Sequence, residues 1–184
     1  MPIRITGGLL RGRNVPSPDT SKTRPTASRT REALFNILQD VENFKVLDLF
    51  AGTGIMGIEA ISRGAAHVTA VEFAKVQAQL IHGAYKSLSL LDKLTLLEKN
   101  VLTLSRKDVC GDEGFDLIYA DPPFKGVEYP DLRPFVEWLN PGGVAVFEAP
   151  SRDLPAWAKE AEEADVARIR KYGESSLVIF RKAL

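Results

Sequence analysis

Asp121-Pro122-Pro123-Phe124 follows directly on the strand-forming run FDLIYA. A carboxylate, a stiffened backbone and an aromatic face are what a reaction at an exocyclic amine needs. The lone pair of such an amine is delocalised into its ring, so the amine must be oriented before it attacks. Asp121 can accept one N–H. The carbonyl of Pro122 can accept the other, since proline keeps its acceptor and loses only its donor. Two prolines in a row preset those acceptors. Phe124 offers a base a stacking surface worth about 1–3 kcal/mol, comparable with the few kcal/mol that extruding a base costs. Alone, Asp-Pro-Pro is also ordinary strand-ending punctuation.

A second group of residues bears on a cofactor. VLDLFAGTGIMG carries Gly52, Gly54 and Gly57 as G-x-G-x-x-G between a strand and a helix, and Glu72 closes the next strand. Glycines let the backbone approach a ligand, and the acid accepts ribose hydroxyls. A nicotinamide dinucleotide and S-adenosylmethionine both fit that much. Asp48 distinguishes them: inside the strand and close to the turn, it repels a pyrophosphate and attracts the ammonium of a methionine moiety. Its alternative role is to cap the turn. Asn100, ending the third strand, is placed for the adenine amino edge, or is a plain turn asparagine.

The elements that must position these residues follow from the pattern. KVLDLF, HVTAVEF, KLTLLEKN, FDLIYA and GVAVFEA read as strands. IMGIEAISR, AKVQAQLIHGAYKSL, DLRPFVEWL and LPAWAKEAEEA read as helices, with Gly64 ending the first of them. VARIRKY and SSLVIFRK read as a closing antiparallel pair. Alternating strands and helices predict a three-layer α/β fold with a mostly parallel sheet. Ligands bind such sheets beyond the C-terminal strand ends, where the glycine turn, Glu72, Asn100 and Asp-Pro-Pro-Phe all fall. Before them, ITGGLLRGR predicts a hairpin and Thr26 an N-cap for the helix SRTREALFNIL. Residues 1–25 are expected to form a basic extension and 26–184 the main domain.

With 184 residues, 45% of them hydrophobic and 26% charged, the chain suits one globular domain. Its single cysteine, Cys110, forms no intrachain disulfide, which suits a reducing cytoplasm. No secretory signal or long apolar run is seen, so no membrane role is expected. Net charge is zero, yet residues 1–40 hold seven basic against three acidic side chains. A basic arm on an acidic body points to an anionic partner, although arginine stems also pack on apolar surface. His67 and His82 lack ligand spacing, so no metal is expected. Trp138 and Trp157 fit helix core positions.

RITGGLLRGR, RPTASRTREALFNIL and LDLFAGTGIMGIEAISRGA, in that order, with DPPF after them, resemble the bacterial 16S rRNA (guanine-N2)-methyltransferases of the RsmD type. These are class I S-adenosylmethionine-dependent enzymes. The resemblance implies a Rossmann-like fold: a seven-stranded mostly parallel sheet, helices on both faces, a final antiparallel strand and a small N-terminal extension. It implies methyl transfer to N2 of one guanine of 16S rRNA. Asp48, Gly52, Gly54, Glu72 and Asn100 would contact the cofactor, and Asp121, Pro122, Pro123 and Phe124 would hold the base. Arg4, Arg11, Arg13, Arg24, Arg29 and Arg31 would be candidates for the RNA face. A monomer acting in the cytoplasm on an assembled or partly assembled small subunit is expected. Ala74 and Gly83 depart from the family's usual acidic residue and asparagine. An adenine-N6 DNA or RNA methyltransferase, a nicotinamide-linked oxidoreductase and a non-catalytic RNA chaperone are the alternatives.

Overall fold

The computed structural model describes residues 2–16, 28–123 and 130–184. The chain divides into two compact units, residues 1–104 and 105–184.

The first unit opens with the expected hairpin. Strands β1 (Ile3–Arg4) and β2 (Asn14–Val15) pair antiparallel, with Ile3 opposite Val15. Ile3, Ile5 and Val15 are buried, while Arg4, Arg11 and Arg13 are exposed. Helix α1 covers Ser28–Leu38; Thr26, the expected cap, lies outside the described residues. Then β3 (Lys45–Leu49), α2 (Ile55–Ser62), β4 (His67–Val71), α3 (Lys75–Ser87) and β5 (Leu94–Leu97) alternate. The strands run in the order β5-β4-β3, all parallel, with Asp48 opposite Ala70 and Val71 opposite Leu97. Every residue of α2 is buried, as befits a helix apolar nearly all round. α3 is amphipathic and buries Ala78, Ile81, Ala84 and Tyr85.

The hairpin is fastened to α2. Glu59, wholly buried, accepts the Thr6 N–H at 2.9 Å and the Thr6 hydroxyl at 2.5 Å, and it pairs with Arg63 at 3.0 Å. The Leu9 N–H donates to the Ser62 carbonyl at 2.7 Å and the Leu10 N–H to Ser62 Oγ at 2.9 Å. Ser62 Oγ donates in turn to the Gly7 carbonyl. Removing one partner from a buried ionic group costs several kcal/mol, so Glu59 is the main anchor.

The second unit holds α4 (Arg106–Val109), β6 (Phe115–Ala120), β7 (Leu139–Pro150), α5 (Ala156–Glu163), β8 (Ala167–Tyr172) and β9 (Ser175–Arg181). Its order is β6-β7-β9-β8, with β6 and β7 parallel and β9 antiparallel to both its neighbours. One expectation is corrected here. DLRPFVEWL is no α-helix but a 3-10 turn over Arg133–Trp138, because Pro134 has no N–H for a helical ladder. β7 begins earlier than GVAVFEA, taking in Pro141, Gly142 and Gly143, with Gly142 at φ 77°. Trp157 stacks on Phe180 and meets Phe147 edge-on, and its indole N–H donates to the Pro130 carbonyl at 3.1 Å; Trp138 is buried too. Both tryptophans are core residues, as expected.

The long strands make a seven-stranded, mostly parallel sheet accompanied by helices. Among the described residues, no helix is long and apolar enough to cross a membrane.

Candidate active site

β3 delivers Asp48, and the chain then turns sharply. Phe50 takes φ 58°, a left-handed conformation unusual for a bulky side chain, and Gly52 and Gly54 follow at 56° and 71°. The Ala51 N–H donates to the Val71 carbonyl at 2.9 Å, tying the turn to the end of β4.

The three glycines are glycines for different reasons. Among the described residues, a Cβ on Gly52 would meet only the Phe50 carbonyl oxygen, at 3.8 Å, so they leave open space beside it. A Cβ on Gly54 would lie 3.1 Å from Ile81 and 3.4 Å from Tyr85. One on Gly57 would lie 2.3 Å from Tyr85 Oη and 2.7 Å from Val68. Gly52 therefore leaves room for a ligand, whereas Gly54 and Gly57 let α3 and β4 close on the turn.

Glu72 spans this turn. Its Oε2 accepts the Gly52 N–H at 2.9 Å and its Oε1 the Ala74 N–H at 2.8 Å. Each carboxylate oxygen keeps a further lone pair for a hydroxyl donor. Asp48 is 1% exposed and, among the described residues, accepts one N–H, from Gly57 at 3.3 Å. Burial pushes its carboxyl up to about 7; the Gly57 bond opposes this and the charge of Glu72 adds to it. A buried acid with one long hydrogen bond suits a cationic ligand group. Asn100 is exposed and uses Oδ1 to cap the 3-10 turn Val101–Thr103, accepting the Leu102 N–H at 3.0 Å. Its amide N–H is the end it can offer.

The second unit carries the Asp-Pro-Pro. It follows the last residue of β6, with Asp121 half-buried, Pro122 buried and Pro123 exposed. Just before it, Tyr119 donates to Glu148 at 2.5 Å, both buried, tying β6 to β7 beneath these residues. Phe124 lies outside the described residues.

The arginines separate. Arg4, Arg11 and Arg13 are exposed on the fastened hairpin. Arg31 is 2% exposed: it donates to the Arg4 carbonyl at 2.9 Å and approaches Glu59 at 3.9 Å. Its guanidinium thus braces the hairpin from within. Arg24 and the side chain of Arg29 lie outside the described residues.

Sequence reasoning missed several residues beside these. Phe73, directly after Glu72, is 74% exposed, Val76 is 69% and Leu102 is 59%. Large apolar side chains left open at C-terminal strand ends suit a flat ligand ring. An aromatic next to the strand-ending acid was the available signal. Tyr85 and Glu59 carried none that a single sequence shows.

A glycine turn after the first strand of a parallel sheet and an acid bridging it from the end of the second are features of a Rossmann-like fold. The chain belongs to the family described as conserved hypothetical protein 95, whose model matches residues 3–181. It is 40% identical over 127 residues to the ribosomal RNA small subunit methyltransferase D of Escherichia coli, a match covering 67% of this chain and 61% of that one. It is 37% identical over 161 residues to the Haemophilus influenzae protein of that name, covering 83% and 81%. The chain thus spans about three-fifths of the E. coli relative's length. The solved Thermus thermophilus 16S rRNA N2 G1207 methyltransferase RsmC, in complex with AdoMet and guanosine, shares the fold: TM-score 0.76 at 23% identity, over 99% of this chain and 50% of that one.

Proposed function

We propose that this protein transfers a methyl group from S-adenosylmethionine to the exocyclic N2 amine of a guanine in small-subunit (16S) rRNA. The observation that carries the cofactor is the buried carboxyl of Asp48 next to a glycine turn that is open at Gly52 and bridged by Glu72. The kinship with the small-subunit methyltransferases supports the substrate.

S-adenosylmethionine, when bound, supplies an electrophilic methyl on a sulfonium. Asp48 holds the ammonium of its methionine end, Glu72 accepts its ribose hydroxyls, and Asn100 offers an amide N–H to its adenine. Gly52 leaves space for backbone approach, and Gly54 shapes the turn. Asp121 accepts one N–H of the target amine and the Pro122 carbonyl accepts the other, so the nitrogen lone pair is directed. Pro123 stiffens the segment and Phe124 stacks on the base. Positioning of this kind supplies up to about 7–11 kcal/mol. No strong base is needed, because the amine loses its proton as or after the bond forms, to Asp121 or to water. Arg4, Arg11 and Arg13, and Arg24 and Arg29 with them, meet phosphates, which position more than they specify.

These 184 residues offer little surface for reading sequence. The substrate is therefore an assembled or partly assembled small subunit, met by a monomer in the cytoplasm. Tritiated methyl transfer to small subunits and to deproteinised rRNA tests this: faster labelling of the particle is expected. Equal rates contradict the particle preference, and no labelling of either contradicts the activity.

A further inference from the structure

We propose that Tyr85 is a positioning residue of the donor site: its hydroxyl hydrogen-bonds the Asp48 carboxylate across one water, and keeps it charged and aimed for the cationic end of the cofactor. This deepens, and rests on, the reading of Asp48 given above.

Tyr85 lies on α3 and is fully buried, yet its hydroxyl has no partner among the described residues. A buried hydroxyl left unpaired is costly, and buried tyrosines usually find a partner. Phenylalanine would fill the same space against Gly54 without that cost. Gly57 is the neighbour that Tyr85 and Asp48 share. Its N–H donates to Asp48 Oδ2 at 3.3 Å, and a side chain there would strike Tyr85 Oη at 2.3 Å. The absence of a side chain at position 57 thus lets the phenol sit against the residue whose N–H the carboxylate accepts.

The local charges favour this pairing. Burial, and then the charge of Asp48, hold the Tyr85 phenol well above its usual range, so it remains a donor. Within the first unit, Glu72 is the other ionisable group whose charge bears on Asp48, and it is a like charge; Ala70, opposite on β4, has none. The Gly57 N–H bond is long, at 3.3 Å, and among the described residues it is the hydrogen bond the carboxylate accepts. A second donor from Tyr85 supplies what the ionised form lacks.

The test is S-adenosylhomocysteine affinity by calorimetry from pH 5.5 to 8, with thermal unfolding in parallel, for wild type, Tyr85→Phe and Asp48→Asn. Wild-type affinity is expected to rise with pH, and Asp48→Asn to flatten that rise. Tyr85→Phe keeps the ring, and is expected to move the midpoint up by about one pH unit, which weakens binding about fivefold at pH 7. That loss shrinks as pH rises further. A Tyr85→Phe midpoint equal to wild type overturns the proposal and leaves Tyr85 as packing. A wild-type affinity that is flat with pH, or absent, overturns the reading of Asp48 itself. Should Tyr85→Phe fail to fold, wild-type sequence carrying 3-fluorotyrosine decides. The stronger phenol donor is expected to lower the midpoint, and an unchanged midpoint contradicts the proposal.

Discussion

The Gly52 N–H donates to Glu72 Oε2 at 2.9 Å, across twenty positions of sequence. The same carboxylate accepts the Ala74 N–H through its other oxygen. Glu72 therefore fixes the shape of the glycine turn, and in the proposed function it also accepts ribose hydroxyls. Glu72→Gln keeps the acceptor for Gly52 and is expected to retain the fold. It loses charge-assisted bonds worth about 1.5–3 kcal/mol each, so S-adenosylhomocysteine affinity falls about tenfold or more. Calorimetry checks the affinity and thermal unfolding checks the fold.

Asp48 links stability to pH. Its carboxyl sits at about 7 in the folded protein against an ordinary 3.8. The folded state therefore holds that proton more tightly than the unfolded chain does. Its contribution is favourable at low pH and is lost as pH rises from about 4 to about 7. Asp48→Asn keeps an acceptor for the Gly57 N–H and removes that loss. Above pH 7 the variant is expected to be more stable than wild type, by on the order of 1 kcal/mol or more, while binding the cofactor worse. Thermal unfolding of both proteins from pH 4 to 8 measures the difference. A gap that does not widen with pH contradicts the assignment.

The two charged layers of the N-terminal hairpin should separate in the same way. Glu59→Ala leaves Arg63, Thr6 and Arg31 facing an empty site and is expected to cost about 3–5 kcal/mol of stability. Arg11→Ala and Arg13→Ala change exposed residues and should leave unfolding unaltered. Each is expected to weaken RNA binding and to reduce the slope of log affinity against log salt by about one. A filter-binding salt series, with denaturant unfolding, tells the two behaviours apart.

Much of this was legible in the residues because it depends on local chemistry. The alternation of apolar runs gave β3 to β6 and α2, α3 and α5 nearly in place. The glycine turn, Asp48 and Glu72 come together because each closes or follows a strand of one parallel sheet. What escaped depends on tertiary partners. Arg31 reads as one more arginine of a basic arm, and only its burial beside Glu59 gives it a bracing role. Gly57 reads as a ligand glycine, and only α3 shows that Tyr85 requires it. DLRPFVEWL reads as a helix by its apolar spacing, and only the fold shows the 3-10 turn that stands there instead.

In the proposed reaction Asp121 acts in the chemical step rather than in cofactor binding. Asp121→Asn is expected to lower kcat by about 10²–10³-fold, the usual cost of removing one group that acts on the transition state. Its S-adenosylhomocysteine affinity should match wild type. Single-turnover methyl transfer with parallel calorimetry gives both numbers. Full activity in the variant fits a different role for the segment.

The most direct measurement is the identity of the methylated nucleoside. Small subunits lacking the modification are treated with the protein and S-adenosylmethionine. Their RNA is digested to nucleosides and resolved by mass spectrometry. N2-methylguanosine, at one equivalent per particle and absent with Asp121→Ala, is the expected result. N6-methyladenosine in its place, or particles that gain no methyl group, contradicts guanine N2 methylation by this protein.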